Sequence, residues 1–247
     1  MSKHPTSNAP VYANFASEKL TIGAGVAIFH IASKRVVVCY HSRDRYWFLP
    51  KGRRNASEDT ATAAQREGFE EPPPDDIETP NPFVTEPLWT QLMPQSATAQ
   101  YILFWYAAET LPEDAETALN VLHAPKASTS SPSAVSVPIE DLKLEEARRA
   151  YAIPPPYPDD LSIAQRVQMD ARPDHQGKTS VYEPVRHQGT GVDEEELLYE
   201  SYLLPIEEAR RKLRGSIMAD VVRRGWAAVE LRMQMEEQMR EDRGESG

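Results

Sequence analysis

The chain has one cysteine in 247 residues, Cys39. That excludes a disulfide scaffold and any zinc site built on cysteines. Cys39 sits in the apolar run RVVVCY and is expected in a core rather than as a nucleophile. No apolar run approaches the roughly 20 residues needed to cross a bilayer. The opening MSKHPTSNAP lacks the charged-then-apolar pattern of a secretion signal. Positive charge is in deficit: 27 Lys and Arg stand against 38 Asp and Glu, a net charge of −11. Such a balance argues against broad nucleic-acid or membrane-surface binding. These absences predict an intracellular soluble protein, cytoplasmic or also nuclear. Hydrophobic residues make up 40% of the chain, enough for one core.

Against that acidic background one stretch concentrates chemistry: Gly52 to Glu71, GRRNASEDTATAAQREGFEE. Ser57 is the expected N-cap of a helix, with Glu58 and Asp59 at the positive end of its dipole. Ala61, Ala63 and Ala64 favour helix and allow close approach to a sheet. On a helix, Glu67, Glu70 and Glu71 crowd onto one side. Like charges at that spacing repel, so a counter-charge is required. A hard divalent cation such as Mg²⁺ suits three carboxylates and keeps positions open for water and phosphate. Just upstream, Arg43, Arg45, Lys51, Arg53 and Arg54 fall within twelve positions. Basic side chains beside a carboxylate metal cluster suit a polyphosphate substrate. The plainer readings are a solvated acidic helix end and a solvated basic loop.

The spacing of Gly52, Glu58, Arg66, Glu67, Glu70 and Glu71 resembles the Nudix box, G-x5-E-x7-R-E-U-x-E-E-x-G-U, where U is a bulky aliphatic residue. The box covers about a tenth of the chain. The sequence departs from it at Gly68, where the first aliphatic residue belongs, and at Pro72-Pro73-Pro74, which replace its ending. Proline pushes the residue before it out of the α region, so the helix is expected to end at Glu70 or Glu71. The resemblance implies an α/β/α sandwich with a mixed β-sheet. It implies Mg²⁺ or Mn²⁺ held by Glu67, Glu70 and Glu71, with the Gly52 carbonyl as a further ligand. Arg66 and Glu58 would orient the helix and loop, and Lys51, Arg53, Arg54 and Arg45 would bind phosphate. A further glutamate outside the box often binds metal or acts as base in this family; Glu195 or Glu196, beside Glu194, occupies that place.

Taken in order, residues 1–17 read as a loose tail, and residues 18–110 with 194–240 as the hydrolase-like domain. LTIGAGVAIFHI (Leu20 to Ile31) predicts a strand whose Gly23 and Gly25 admit another backbone or a ligand. His30 at its end is read as a strand-end residue. Arg35 to Tyr40 predicts the second strand of a hairpin turning at Ser33-Lys34. Tyr46 to Leu49 predicts a short aromatic strand stopped by Pro50. Residues 83–92 are an edge-strand candidate, and YILFWYA (Tyr101 to Ala107) a central buried strand. Trp105 is expected in the core, with a base-stacking role as the alternative.

Eleven of the 21 prolines fall between Pro112 and Pro205, so residues 111–193 read as a long, partly disordered insertion. A short helix is expected within it at residues 139–150. Residues 194–204 return to strand character. Pro205 then opens a helix expected to run to about Arg240, before a tail at 241–247. Val222, Trp226, Val229 and Met233 make an apolar stripe along it. That stripe either packs on the domain or pairs two chains as a homodimer.

The combined reading is a Mg²⁺-dependent hydrolase that cleaves a pyrophosphate linkage by attack of water on phosphorus. Its small-molecule substrate would be a dinucleoside polyphosphate or a diphosphoinositol polyphosphate. A capped RNA end is the one nucleic-acid alternative, and a non-catalytic scaffold on the same fold is the main rival.

Overall fold

The structure is a computed structural model that describes residues 12–54, 58–69, 87–113, 161–173, 179–184 and 198–244. Its first long element is β1 (Leu20–His30), whose branched and small residues alternate between two packed faces. A tight turn with Lys34 at φ 54° leads to β2 (Arg35–His41). The two strands pair only next to the turn, Phe29 with Val36 and His30 with Arg35. Beyond that point their partners differ. β3 (Tyr46–Phe48) runs along β2, while β4 (Lys51–Arg53) runs along β1. Leu49-Pro50 links the two short strands, so the approach to Gly52 fills the gap between β1 and β2. The Val26 N–H donates to the Pro50 carbonyl at 3.0 Å.

On the other edge of β1, β6 (Gln100–Glu109) pairs in parallel from Leu20↔Gln100 to Phe29↔Glu109. β5 (Trp89–Pro94) closes that side as an antiparallel edge strand, a few residues later than the expected 83–92. β9 (Tyr199–Pro205) pairs antiparallel along all of β2. The strand character expected from residue 194 is therefore seen from Tyr199. Among the described residues these strands form one mixed seven-stranded sheet.

Helices cover both faces. α1 (Thr60–Phe69) lies on the face lined by Ala24, Val26 and Tyr106, which bury Ala63 and Ala64. The opposite face carries Ala27, Phe29, Val36, Val38, Leu103 and Trp105. It is covered by α3 (Ile206–Lys212) and α4 (Met218–Asp242) through Ile206, Ala209, Leu213, Val221 and Val222. This is the α/β/α sandwich with a mixed sheet that the sequence predicts. Trp105 and Cys39 are both in the core.

The C-terminal region differs from the single long helix expected after Pro205. Gly215 at φ +92° is in the left-handed region, where an L side chain is strained, and it separates α3 from α4. The Ser216 hydroxyl donates to the Leu213 carbonyl at 2.9 Å within that break. The apolar stripe also divides. Val222, Trp226 and Val229 pack on the core, whereas Met233, with Leu231, Met235 and Met239, is exposed. No described helix is long and apolar enough to cross a membrane.

Part of the proline-rich segment belongs to this fold. Ser162 and Gln165 form a reciprocal capping box at the start of α2 (Ile163–Asp170). β7 (Ala171–Pro173) and β8 (Thr179–Val181) then form a small hairpin. Ile163 and Val167 pack against the main core. The helix expected at 139–150 lies outside the described residues, as do residues 1–11 of the tail expected at 1–17; residues 12–16 are exposed and carry no regular structure.

Candidate functional site around β4 and α1

The strand that begins the motif is held from two directions. Besides its ladder to β1, the Gly52 carbonyl accepts the Tyr101 hydroxyl at 2.8 Å. The space for that contact comes from Gly23. A Cβ there would lie 2.1 Å from Tyr101 Oη and 2.4 Å from the Gly52 oxygen. Gly25 acts likewise, since a Cβ would meet the Trp105 ring at 2.5 Å and Lys51 Cβ at 3.0 Å. The close approach expected at these glycines is therefore made by protein atoms. It also means the Gly52 carbonyl already spends hydrogen-bonding capacity inside the fold.

After β4, the Arg54 guanidinium donates to the Glu58 carbonyl at 2.7 Å, and the Arg54 N–H to Ile22 at 3.0 Å. Glu58 is buried, at 7% exposure. The helix then starts on Asp59 rather than on the expected Ser57, which lies outside the described residues. Asp59 accepts the Thr62 N–H and the Thr62 hydroxyl, each at 2.8 Å. Burial works against the charged form of Asp59. The Thr62 bonds outweigh it and hold the carboxyl below the usual range. Thr60 Oγ1 and Tyr106 Oη, 2.6 Å apart, tie the first turn to β6.

Gly68 closes the helix onto the sheet. A Cβ there would lie 2.9 Å from Val26 Cγ1 and 3.0 Å from Ile28 Cδ1. The bulk missing from the helix at this position is thus supplied by two branched residues of β1. This contact also fixes the helix rotation. With Gly68 against β1, 100° per residue sets position 67 on the flank. Positions 66 and 67 fall within α1; their side chains, with Glu70, Glu71, Glu194, Glu195 and Glu196, lie outside the described residues. Among the described residues no group of three or more metal-ligating side chains comes together.

The basic residues divide into two places. Lys51, Arg53 and Arg54 are exposed along and just after β4, with Lys51 Nζ 5.9 Å from the Phe48 ring centre. Arg45 is exposed in the β2–β3 turn at φ 55°, and Arg43 pairs with Asp44 at 3.4 Å. Beside them is a row of rings that sequence reasoning did not single out. His41 is fully buried, stacks on Tyr46 at 5.1 Å and meets Tyr199 at 5.3 Å. Phe48 touches both tyrosines. Tyr46 is 44% exposed, so the row has an accessible ring at its edge. The alternation of β2 put His41 on the same face as Cys39, but the meeting with Tyr199 needs a strand more than 150 positions away.

His30 is fully buried at the opposite end of β1 from the β4 ladder. Its Nδ1 lies 2.5 Å from Ser33 Oγ, which also accepts from Arg35 Nε at 2.7 Å. The serine oxygen thus links the ring to the Arg35 guanidinium, and the second ring nitrogen is Nε2. That nitrogen faces Asp170 of α2 at 3.7 Å. Its strand-end role is therefore structural.

No protein-family model matches the chain, and no curated protein matches it at a significant level. Solved structures with similar backbones include an Ap4A hydrolase from C. elegans in a binary complex. It is 12% identical, covers 85% of this chain and 98% of its own, and has a TM-score of 0.37. A NUDIX hydrolase from Nitrosomonas europaea is 15% identical over 69% of this chain and 99% of its own, with a TM-score of 0.29. A MutT/nudix family protein from Enterococcus faecalis is 19% identical over 42% and 39%, with a TM-score of 0.24.

Proposed function

We propose that this chain is a Nudix-type pyrophosphohydrolase that uses Mg²⁺ or Mn²⁺ to cleave a nucleotide-type polyphosphate. The observation that carries the reading is the joint packing of the two ends of the motif. Gly52 lies in β4 and position 67 in α1, and both elements sit against β1 and each other. With the helix rotation set by Gly68, continuation of α1 would bring Glu70 and Glu71 to the flank that carries Glu67. Three carboxylates on one flank are a donor set suited to a hard divalent cation. Such a cation lowers the pKa of bound water and neutralises charge on the leaving phosphate.

The remaining roles fall to the chain's own groups. Glu67, Glu70 and Glu71 hold the cation, and the Gly52 carbonyl contributes only what its bond to Tyr101 leaves free. Lys51, Arg53, Arg54 and Arg45 attract and orient the phosphates. Glu58 and Arg66 position the loop and helix. Glu195 or Glu196 supplies the base or a further ligand. The half-exposed Tyr46 ring, backed by His41 near Lys51, favours a dinucleoside polyphosphate over a diphosphoinositol polyphosphate, because a nucleobase can stack there. The rival reading is a non-catalytic scaffold on the same fold, for which the two departures from the box speak, Gly68 and Pro72-Pro73-Pro74. The fit of Gly68 against Val26 and Ile28 gives the first of these a packing reason.

The test is Mg²⁺-dependent hydrolysis across dinucleoside polyphosphates, diphosphoinositol polyphosphates, nucleotide sugars and capped RNA, with Glu70→Gln as control. Turnover that needs metal and is lost in the folded control supports the reading. Absence of turnover on every compound by folded, metal-loaded protein favours the scaffold.

A further inference from the structure

β4 is three residues long, and among the described strands it pairs only with β1. Even with the bonds that continue it at each end, Val26 N–H to the Pro50 carbonyl and Arg54 N–H to the Ile22 carbonyl, this ladder is short and holds β4 from one side. The second constraint comes from β6, two strands away in the sheet order. Tyr101 stands opposite Thr21 in register, and its ring leans over Gly23 to reach the Gly52 carbonyl. Packing alone does not require an oxygen there, because a phenylalanine ring would fill the same slot.

We propose that Tyr101 is a positioning residue for the hydrolysis proposed above. Through the Gly52 carbonyl, its hydroxyl sets the peptide plane from which Lys51 and Arg53 project and the chain turns toward Glu58 and α1. The inference rests on the pyrophosphohydrolase reading, but it makes a structural claim that can be read without turnover. Gly23 is the permissive partner, since any side chain at that position pushes on the hydroxyl and the carbonyl together.

The experiment compares the wild type, Tyr101→Phe, Gly23→Ala and the double variant. Hydrogen exchange is measured at the Arg54 amide, which donates to Ile22 at the end of the β1–β4 ladder. Kinetics are measured on the best substrate of the panel. Tyr101→Phe is expected to fold with a Tm within about 4 °C of the wild type. Exchange at Arg54 should accelerate. The kcat should fall about tenfold with KM within about twofold, the pattern of a misaligned rather than an unbound substrate. Gly23→Ala should also lower kcat, and the double variant should be no slower than the worse single, since both act on one carbonyl.

Unchanged Arg54 exchange in Tyr101→Phe overturns the proposal whether or not the protein is an enzyme. Accelerated exchange with unchanged kcat overturns it as well, as does a kcat loss that merely follows Tm and adds across the pair. If the wild type turns over nothing, the hydrolase reading fails, and with it any catalytic role for Tyr101. Exchange at Arg54 then reports only whether the brace exists.

Discussion

Arg166 and Glu109 stand 57 positions apart and meet with Nε 2.7 Å from Oε1, where α2 docks on the end of β6. The guanidinium also donates to the Thr110 carbonyl at 3.1 Å and is only 4% exposed. Burial pushes the Glu109 carboxyl above its usual range despite this partner. Removing one member of a buried pair strands the other. Arg166→Met should therefore cost about 3 kcal/mol of unfolding free energy. Arg166→Met with Glu109→Met should recover most of that loss. Urea denaturation of the two variants and the wild type checks the ordering; a single variant as stable as the wild type would mean the pair contributes nothing to docking.

His30 makes stability depend on pH. Burial first, then the charges of Arg35 and Arg166, hold its pKa below the usual value, while Glu183 opposes them. The groups facing it are Asp170 and Arg166 from α2, Arg35 from β2 and Glu183 beyond β8. A folded-state pKa lowered from 6.5 means that the unfolded chain takes up the proton first. The contribution is full above pH 6.5 and is lost as pH falls through the folded value. Of the carboxylates, the lowered values of Glu183 and Asp59 withdraw stability only below their usual range, whereas the raised value of Glu109 withdraws stability as pH rises above its usual range, equally in the wild type and in a His30 variant. Denaturation of His30→Asn between pH 7 and about pH 5 should show a flatter slope than the wild type. A parallel pair of curves would remove His30 as the cause.

Gly68 is expected to resist large residues. Gly68→Leu must displace the stiff Val26 and Ile28 side chains and should cost about 1–3 kcal/mol. Gly68→Ala offsets its smaller clash with a gain of about 1 kcal/mol in helix propensity, so it should fall near the wild type. Chemical denaturation distinguishes the two. A stable leucine variant would show that α1 rides loosely on β1.

Gly215 gives a cleaner backbone test. A Cβ there meets nothing within 4 Å, so Gly215→Ala adds no clash and reports only the cost of φ +92°. That cost should be about 1 kcal/mol. No loss of stability would imply that α3 and α4 can join as one helix, as the sequence alone suggested.

What the sequence disclosed and what it withheld follow from the range of the interactions. The branched, alternating residues of β1 and β2, and Pro205 with Glu207 and Glu208 at the start of α3, are local signals that survive folding. The spacing from Gly52 to Glu67 is local too, and the structure gives it a strand and a helix to sit on. The Ser162–Gln165 capping box is local too, but it is embedded in a proline-rich segment whose composition argues against helix. The break at Gly215 was hidden because Leu213 and Ile217 keep an apolar rhythm across it. Tyr101 on Gly52, His41 between Tyr46 and Tyr199, and the choice of Asp59 over Ser57 depend on strands or turns brought together only in the folded chain. No periodicity encodes such meetings.

The late partner of β2 has a consequence for how the molecule is built in time. β9 pairs with β2 across the whole proline-rich segment, Cys39 facing Ser201. Closing so long a loop costs little in stability, because each doubling of loop length adds only about 0.6 kcal/mol. It slows the search for the native pairing instead. The last strand, with α3 and α4 behind it, must therefore join a sheet whose β1 to β6 can already pair without it. On the ribosome, the first 110 residues emerge with the β2 edge unclaimed and the Phe29–Trp105 face bare. That nascent half is the state in which this chain most needs protection from aggregation.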